Sequence, residues 1–167
     1  MVRQIRSGMI EIEITQQQIL RAEILYKFKE LNNSIRKGEG NLIGALGEIV
    51  VFDYYQNKGR EVEHCQHHDF DLMIEGYTVE IKTQETKFKP LDWFTCHVSD
   101  YNATQDCEFY CFPFVNESMT TAWLTGMITR TGFKQRSVFK KEGEIGFKKP
   151  FLCDTWTIRI DELTKIV

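Results

Sequence analysis

At 167 residues, 42% hydrophobic and 27% charged, the chain is long enough to bury one core without staples, and a single domain over residues 1–167 is expected. A net charge of −3 excludes a general basic field, so any site for a polyanion has to be a local patch. Five cysteines, odd in number and without a Cys-x-x-Cys pair, argue against a disulfide framework, and no apolar run reaches membrane-spanning length; a soluble, intracellular protein with no membrane partner is expected.

Ile10, Ile12 and Ile14 alternate with Glu11 and Glu13, the pattern of a half-buried strand. Thr15 stands three residues before Gln18, as in a capping box, and predicts a helix from about Gln16. Its apolar stripe is read as Leu20, Ile24, Phe28 and Leu31, ended by Asn32-Asn33-Ser34, and the helix is taken as scaffold. Arg36 to Gly40 reads as a loop that could lie near a phosphate backbone. A second helix is predicted from Asn41, as N-cap, to Gln56, with Lys58-Gly59 as its stop. Apolar nearly all round, it reads as buried. Glu48 lies in its middle, so either a cation meets that carboxylate or it is held neutral. Gly44 and Gly47 weaken the helix and imply that something approaches it closely.

Arg60 to Cys65 predicts a strand leading into a hairpin turned at Glu75-Gly76, since glycine accepts the positive φ of a tight turn. That turn sets Ile74 against Tyr77, Leu72 against Val79, Asp71 against Glu80, Asp69 against Lys82 and His67 against Gln84. Asp69, Asp71, Glu80 and Lys82 then share one face. Facing carboxylates repel unless positive charge stands between them, and a divalent metal would supply it. Pro90 to Ala103 is read as a loop with a short helix. Strands are expected over Cys107–Val115, with an edge or bulge at Pro113, over Thr121–Ile128 and over Thr155–Ile160, with a short helix in Arg130–Phe139 and a turn at 140–144.

An acid within a helix (Glu48), an acid on a strand (Asp71) and Glu80-Ile81-Lys82 on the next strand resemble the PD-(D/E)XK nuclease superfamily. The resemblance implies an α/β, restriction-endonuclease-like core of helix, three-strand meander, helix and strand over residues 41–115, about half the chain, with an N-terminal helix and extra C-terminal strands outside it. It also implies a Mg²⁺-dependent nuclease acting on DNA, with Mn²⁺ as substitute, similar to small phage or mobile-element members and working in the cytoplasm of a prokaryotic or phage-infected cell. Asp71, Glu80 and the Ile81 carbonyl would hold the metal, Lys82 would orient water and stabilise charge on the phosphate, and Glu48 would act through water or a second ion. Phosphodiester hydrolysis independently calls for a hard, oxygen-bound cation and a nearby ammonium. Phe70 stands where the family often has proline. Asp69 competes with Asp71 as ligand, and Gln84 and His67 are further supporting candidates. A homodimer follows if both strands are cut, because one such site cuts one strand.

Other readings stand beside this one. On the same fold the acids could be vestigial in a non-catalytic nucleic-acid-binding or assembly protein. In an unrelated domain with an ion-paired hairpin, Glu48 would lie away from Asp71. His64, Cys65, His67 and His68 fit no tetrahedral zinc spacing. Lys134, Arg136, Lys140 and Lys141, with Arg130, Lys148 and Lys149 nearby, are the main basic concentration and candidates for phosphate contact, or else a solvated face. Trp93, Phe94, Trp123 and Trp156 are expected in the core, and the cysteines as inert thiols.

Overall fold

The computed structural model describes residues 2–4, 8–31 and 42–166. The expected stop at 32–34, the loop over 36–40 and the Asn41 cap lie outside the described residues. What it describes is a mixed α/β fold with a curled, mixed sheet and three helices. The main sheet runs β1 (Val2–Gln4), β2 (Ile10–Glu13), β9 (Thr121–Thr129), β8 (Phe109–Asn116), β5 (Tyr77–Ile81), β4 (Leu72–Ile74), β3 (Val62–His64) in spatial order, and β6 (Gln84–Thr86) also pairs with β8. A second sheet is ordered β10 (Val138–Lys140), β11 (Thr155–Arg159), β7 (Thr95–Ser99).

β8 separates two cores. Cys111 and Val115 face an aliphatic core shared with α2 (Leu42–Asn57), whereas Tyr110, Phe112 and Phe114 face an aromatic one shared with β7, β11 and Phe133 of α3 (Arg130–Arg136). This is strand alternation buried on both sides. The Thr15–Gln18 capping box forms as expected, with Thr15 N–H donating to Gln18 Oε1 and Gln18 N–H to Thr15 Oγ1. α1 (Gln16–Leu31) nevertheless docks differently from its hydrophobic pattern. Leu20 and Ile24 are exposed, and the inward face carries Gln18, Ala22, Leu25 and Lys29. Ile19, Ala22, Leu25 and Tyr26 pack into the aliphatic core on this face, and Gln18 Nε2 and Arg21 Nη1 both donate to Asp53 of α2, at 2.9 and 2.8 Å.

α2 is buried, as its composition implied, and Gly47 carries the close approach: a Cβ there would lie 1.9 Å from Thr83 Oγ1. Thr83 Oγ1 also donates to the Gly44 carbonyl, at 3.4 Å. The hairpin turns at Glu75 and Gly76, both at positive φ, and pairs Ile74 with Tyr77 and Leu72 with Val79 as expected. Further along the register departs from expectation. The Asp71 N–H donates to the Val79 carbonyl, so Asp71 does not continue the ladder opposite Glu80.

One expectation fails in the stretch after the hairpin. Pro90 to Ala103 contains strand β7, not a helix; Thr95-Cys96-His97-Val98-Ser99 is too polar to announce itself, and it becomes a strand by antiparallel pairing with β11. The connection between parallel strands β5 and β8 thus holds strands where a helix was expected. Of the two settings expected for Pro113, an edge or a bulge, it takes the bulge: the register of β8 shifts between Cys111 and Pro113.

Candidate active site

Three carboxylates converge from three elements beside the β4–β5 hairpin. Glu48 comes from the middle of α2, which its apolar flanks bury; Asp71 stands at the start of β4; Glu80 is on β5, between the core residues Val79 and Ile81. Glu48 and Glu80 are each only 6% exposed. Charges so withdrawn from water require partners.

Lys29, near the end of α1, provides one. Its ammonium donates to Glu48 Oε1 and, at 2.9 Å, to Asp71 Oδ1. Asp71 Oδ2 takes the Ile81 N–H at 2.9 Å. Glu80 Oε1 accepts from Lys82 Nζ at 2.8 Å and from Gln105 Nε2 at 3.0 Å. Gln105 Nε2 also donates to the His68 carbonyl at 2.9 Å. Two acceptors on one nitrogen fix the amide's orientation and leave Gln105 Oε1 buried without a partner.

The protonation equilibria follow from this geometry. Burial raises the Glu48 pKa well above the ordinary value, and the Asp71 charge adds to it against the pull of Lys29. Burial and the Asp71 charge likewise raise Glu80 to about 8, opposed by Lys82 and Gln105. Asp71 moves the other way: burial works against its charge, but Lys29, the Ile81 N–H and Lys82 outweigh it and lower its pKa. Burial also disfavours the Lys29 ammonium, and the two carboxylates overcome that and raise its pKa. One proton-poor aspartate therefore sits beside two proton-retaining glutamates.

No family model and no curated protein matches the chain. The local geometry therefore has to carry the functional reading by itself.

The remaining sequence candidates fall in different places. Glu48 and Asp71 share a cation, so the reading that set them apart in the fold is not what the chain adopts. Asp69 does not face Lys82, which pairs with Glu80; Asp69 instead lies near His67 Nδ1 (3.7 Å) and His68 Nε2 (3.4 Å). His67 does not face Gln84 but stacks between His68 and Phe70, because the chain leaves the hairpin register before reaching it. Gln84 spends its amide on β7, donating to the Thr95 carbonyl (3.1 Å) and accepting the His97 N–H (2.8 Å). Lys134 and Arg136 are on α3, Lys140 on β10 and Lys141 in the following turn, and none of them is among the partners of the three carboxylates.

Among the described residues, His67, His68 and Asp69 form the one group of three such side chains whose ligating atoms lie within 4.8 Å of one another. The two imidazoles stack, with centroids 4.7 Å apart and planes 17° off parallel, so their in-plane lone pairs do not converge on a point. Imidazole donors also suit zinc or copper better than magnesium.

Sequence reasoning missed Lys29 and Gln105. The requirement that a cation meet Glu48 was the one signal for Lys29, and it named no position. Gln105 carried no signal at all. No helix among the described residues is long and apolar enough to cross a membrane.

Proposed function

We propose that the protein is a Mg²⁺-dependent nuclease of the PD-(D/E)XK, restriction-endonuclease-like type, hydrolysing phosphodiester bonds in DNA. The observation that carries this reading is the pair of buried glutamates, Glu48 and Glu80, set around the half-buried Asp71 with Lys29 and Lys82 as ion partners. A purely structural hairpin has no use for such an arrangement. The order α2, meander β3–β4–β5, then β8 parallel to β5 supports the same core, with strands in place of its second helix.

The donor types suit the ion, and holding it requires Glu48, Asp71 and Glu80 to draw closer than they stand, since among the described residues they are not a group of three whose ligating atoms lie within 4.8 Å of one another. Asp71 and Glu80 with the Ile81 carbonyl are hard oxygen donors, and Mg²⁺ or Mn²⁺ is commonly held by one or two carboxylates with water completing the shell. Glu48 and Asp71 already share a cation, the Lys29 ammonium, so positive charge is accommodated there. When bound, the ion would polarise the phosphate and make the attacking water more acidic. Lys82, held in place by Glu80, presents an ammonium to the charge that develops on the phosphate. Lys29 orients Glu48 and Asp71 relative to each other, and Gln105 braces Glu80 against the His68 loop.

The test is a calorimetric titration of Mg²⁺ and Mn²⁺ into wild type and into the Asp71→Ala, Glu80→Ala double variant, followed by incubation with labelled DNA and RNA. Binding lost in the double variant, with metal-dependent cutting of DNA by wild type, is the expected result. Absence of metal binding in wild type would overturn the reading.

A specific observation favours a second reading. Lys29 neutralises Glu48 and Asp71 without any metal, as it would in a catalytically inactive nucleic-acid-binding or assembly protein on this fold. That reading expects nucleic-acid binding with no metal uptake.

A further inference from the structure

Two segments far apart in sequence meet through aromatic rings. Lys87-Phe88-Lys89 and Trp93-Phe94 lie between β6 and β7; Phe147-Lys148-Lys149 lies between β10 and β11. The Trp93 ring centroid is 5.5 Å from that of Phe147 and 4.7 Å from that of Phe94, and Phe88 is 6.1 Å from Phe94. Of these rings, Trp93 and Phe94 were expected in the core. Instead Phe88 is 58%, Trp93 47% and Phe147 66% exposed. Three large rings held together in water need an explanation that scattered surface aromatics do not.

Their geometry narrows the occupant. Trp93 lies at 59° to Phe147 and 69° to Phe94, so each contact sets an edge toward a face and covers at most one face of one ring, leaving the others open. Lys148 Nζ stands 5.2 Å from the Phe147 centroid, and Lys87 and Lys149 are exposed beside the rings. Against four lysines in the two segments stands one acid, Asp92. Open π faces interleaved with ammoniums complement a ligand that alternates flat rings with negative charge. A single-stranded polynucleotide has that chemistry; a duplex hides its base faces.

The patch is also tethered to the candidate active site. Gln84, two residues beyond Lys82, is hydrogen-bonded to Thr95, two residues beyond Trp93. At roughly 3.3 Å per extended residue, this places Trp93 within about 20 Å of Lys82 along the chain.

We propose that Phe88, Trp93 and Phe147, with Lys87, Lys148 and Lys149, form a binding platform for single-stranded DNA, whose bases stack on the rings and whose phosphates meet the lysines. The proposal rests on the nuclease reading for its choice of DNA and sharpens it, making an unpaired strand the form the site receives.

The test is fluorescence anisotropy of a labelled oligothymidylate with the full chain in EDTA, beside a hairpin duplex and an RNA of equal length. The single strand should bind tightest, with quenching of tryptophan emission. Trp93→Ala combined with Phe147→Ala should weaken it at least tenfold while the chain stays folded with a small fall in melting temperature, since Phe147 is exposed and Trp93 half-exposed. Lys148→Gln with Lys149→Gln should lower the salt dependence of binding. Unchanged affinity in the ring variant, or tighter binding of duplex or RNA, would overturn the platform. Because EDTA removes cleavage from the assay, intact ring-dependent binding without metal-dependent cutting would sink only the nuclease reading. Cutting with ring-independent binding would sink only the platform.

Discussion

Glu48 and Glu80 are buried to the same extent, yet they are neutralised from opposite distances in the chain. Glu80 takes its cation from Lys82, two residues on along the same backbone, with Gln105 as a second donor. Glu48 takes its cation from Lys29, on a different helix, and has to share it with Asp71. The first arrangement is nearly built by the hairpin itself, whereas the second exists only once α1 has docked on α2. The comparison teaches that one local motif does not make this site. Its charge balance is completed by an element outside the motif.

Replacing Lys29 should therefore destabilise the fold most. Lys29→Met strands Glu48 and Asp71 together, and loss of one member of a buried charge group costs about 4 kcal/mol, read as a lower urea midpoint. Glu80→Gln probes the other side. The folded-state pKa of Glu80 lies near 8, above its ordinary 4.5, so the native state holds this proton more tightly than the unfolded one. Its contribution is fully present below pH 4.5 and is lost as pH rises to 8. Wild type should thus lose about 5 kcal/mol relative to Glu80→Gln across that window, measured as the divergence of their melting temperatures. Gly47→Ala forces a Cβ onto the Oγ1, Cγ2 and Cβ of Thr83 and should cost about 2 kcal/mol; adding Thr83→Gly, which removes all three atoms, should recover more of it than Thr83→Ala, which keeps the Cβ at 2.8 Å. Lys82→Met should be mildest, about 1 kcal/mol at pH 6, because Glu80 is then protonated and keeps Gln105; the cost should grow above pH 8. Equal costs for the two lysine variants would dissolve the distinction between the two glutamates.

What could be read from the sequence divides along the same line. The hairpin was legible because a Glu-Gly turn and period-two alternation are local signals, and α2 because an apolar run around one acid is conspicuous. α1 was legible as a helix but not in its orientation. Leu20 and Ile24 drew the inward face to the wrong side, since the true face carries Ile19, Ala22, Leu25 and Tyr26 into the aliphatic core and sets Gln18, Arg21 and Lys29 against acids. Hydrophobic periodicity offered two rival stripes on this helix, and the polar pairs to α2 select between them. β7 was invisible for a related reason: its strand character comes from β11, more than fifty residues later. The exposure of Trp93 and Phe147 likewise depends on where two distant turns meet.

The parallel pairing of β5 with β8 bears on the order in which the chain can assemble. The β4–β5 and β8–β9 hairpins close short loops, whereas the Lys82 N–H reaches the Cys111 carbonyl only after residues 83–110 have been gathered in. Closing that long connection spends chain entropy before any contact offsets it, and slows folding. Early intermediates would hold Asp71 and Glu80 on one hairpin without Lys29 in place. Dilute salt, by screening those carboxylates, should accelerate refolding of the wild-type chain.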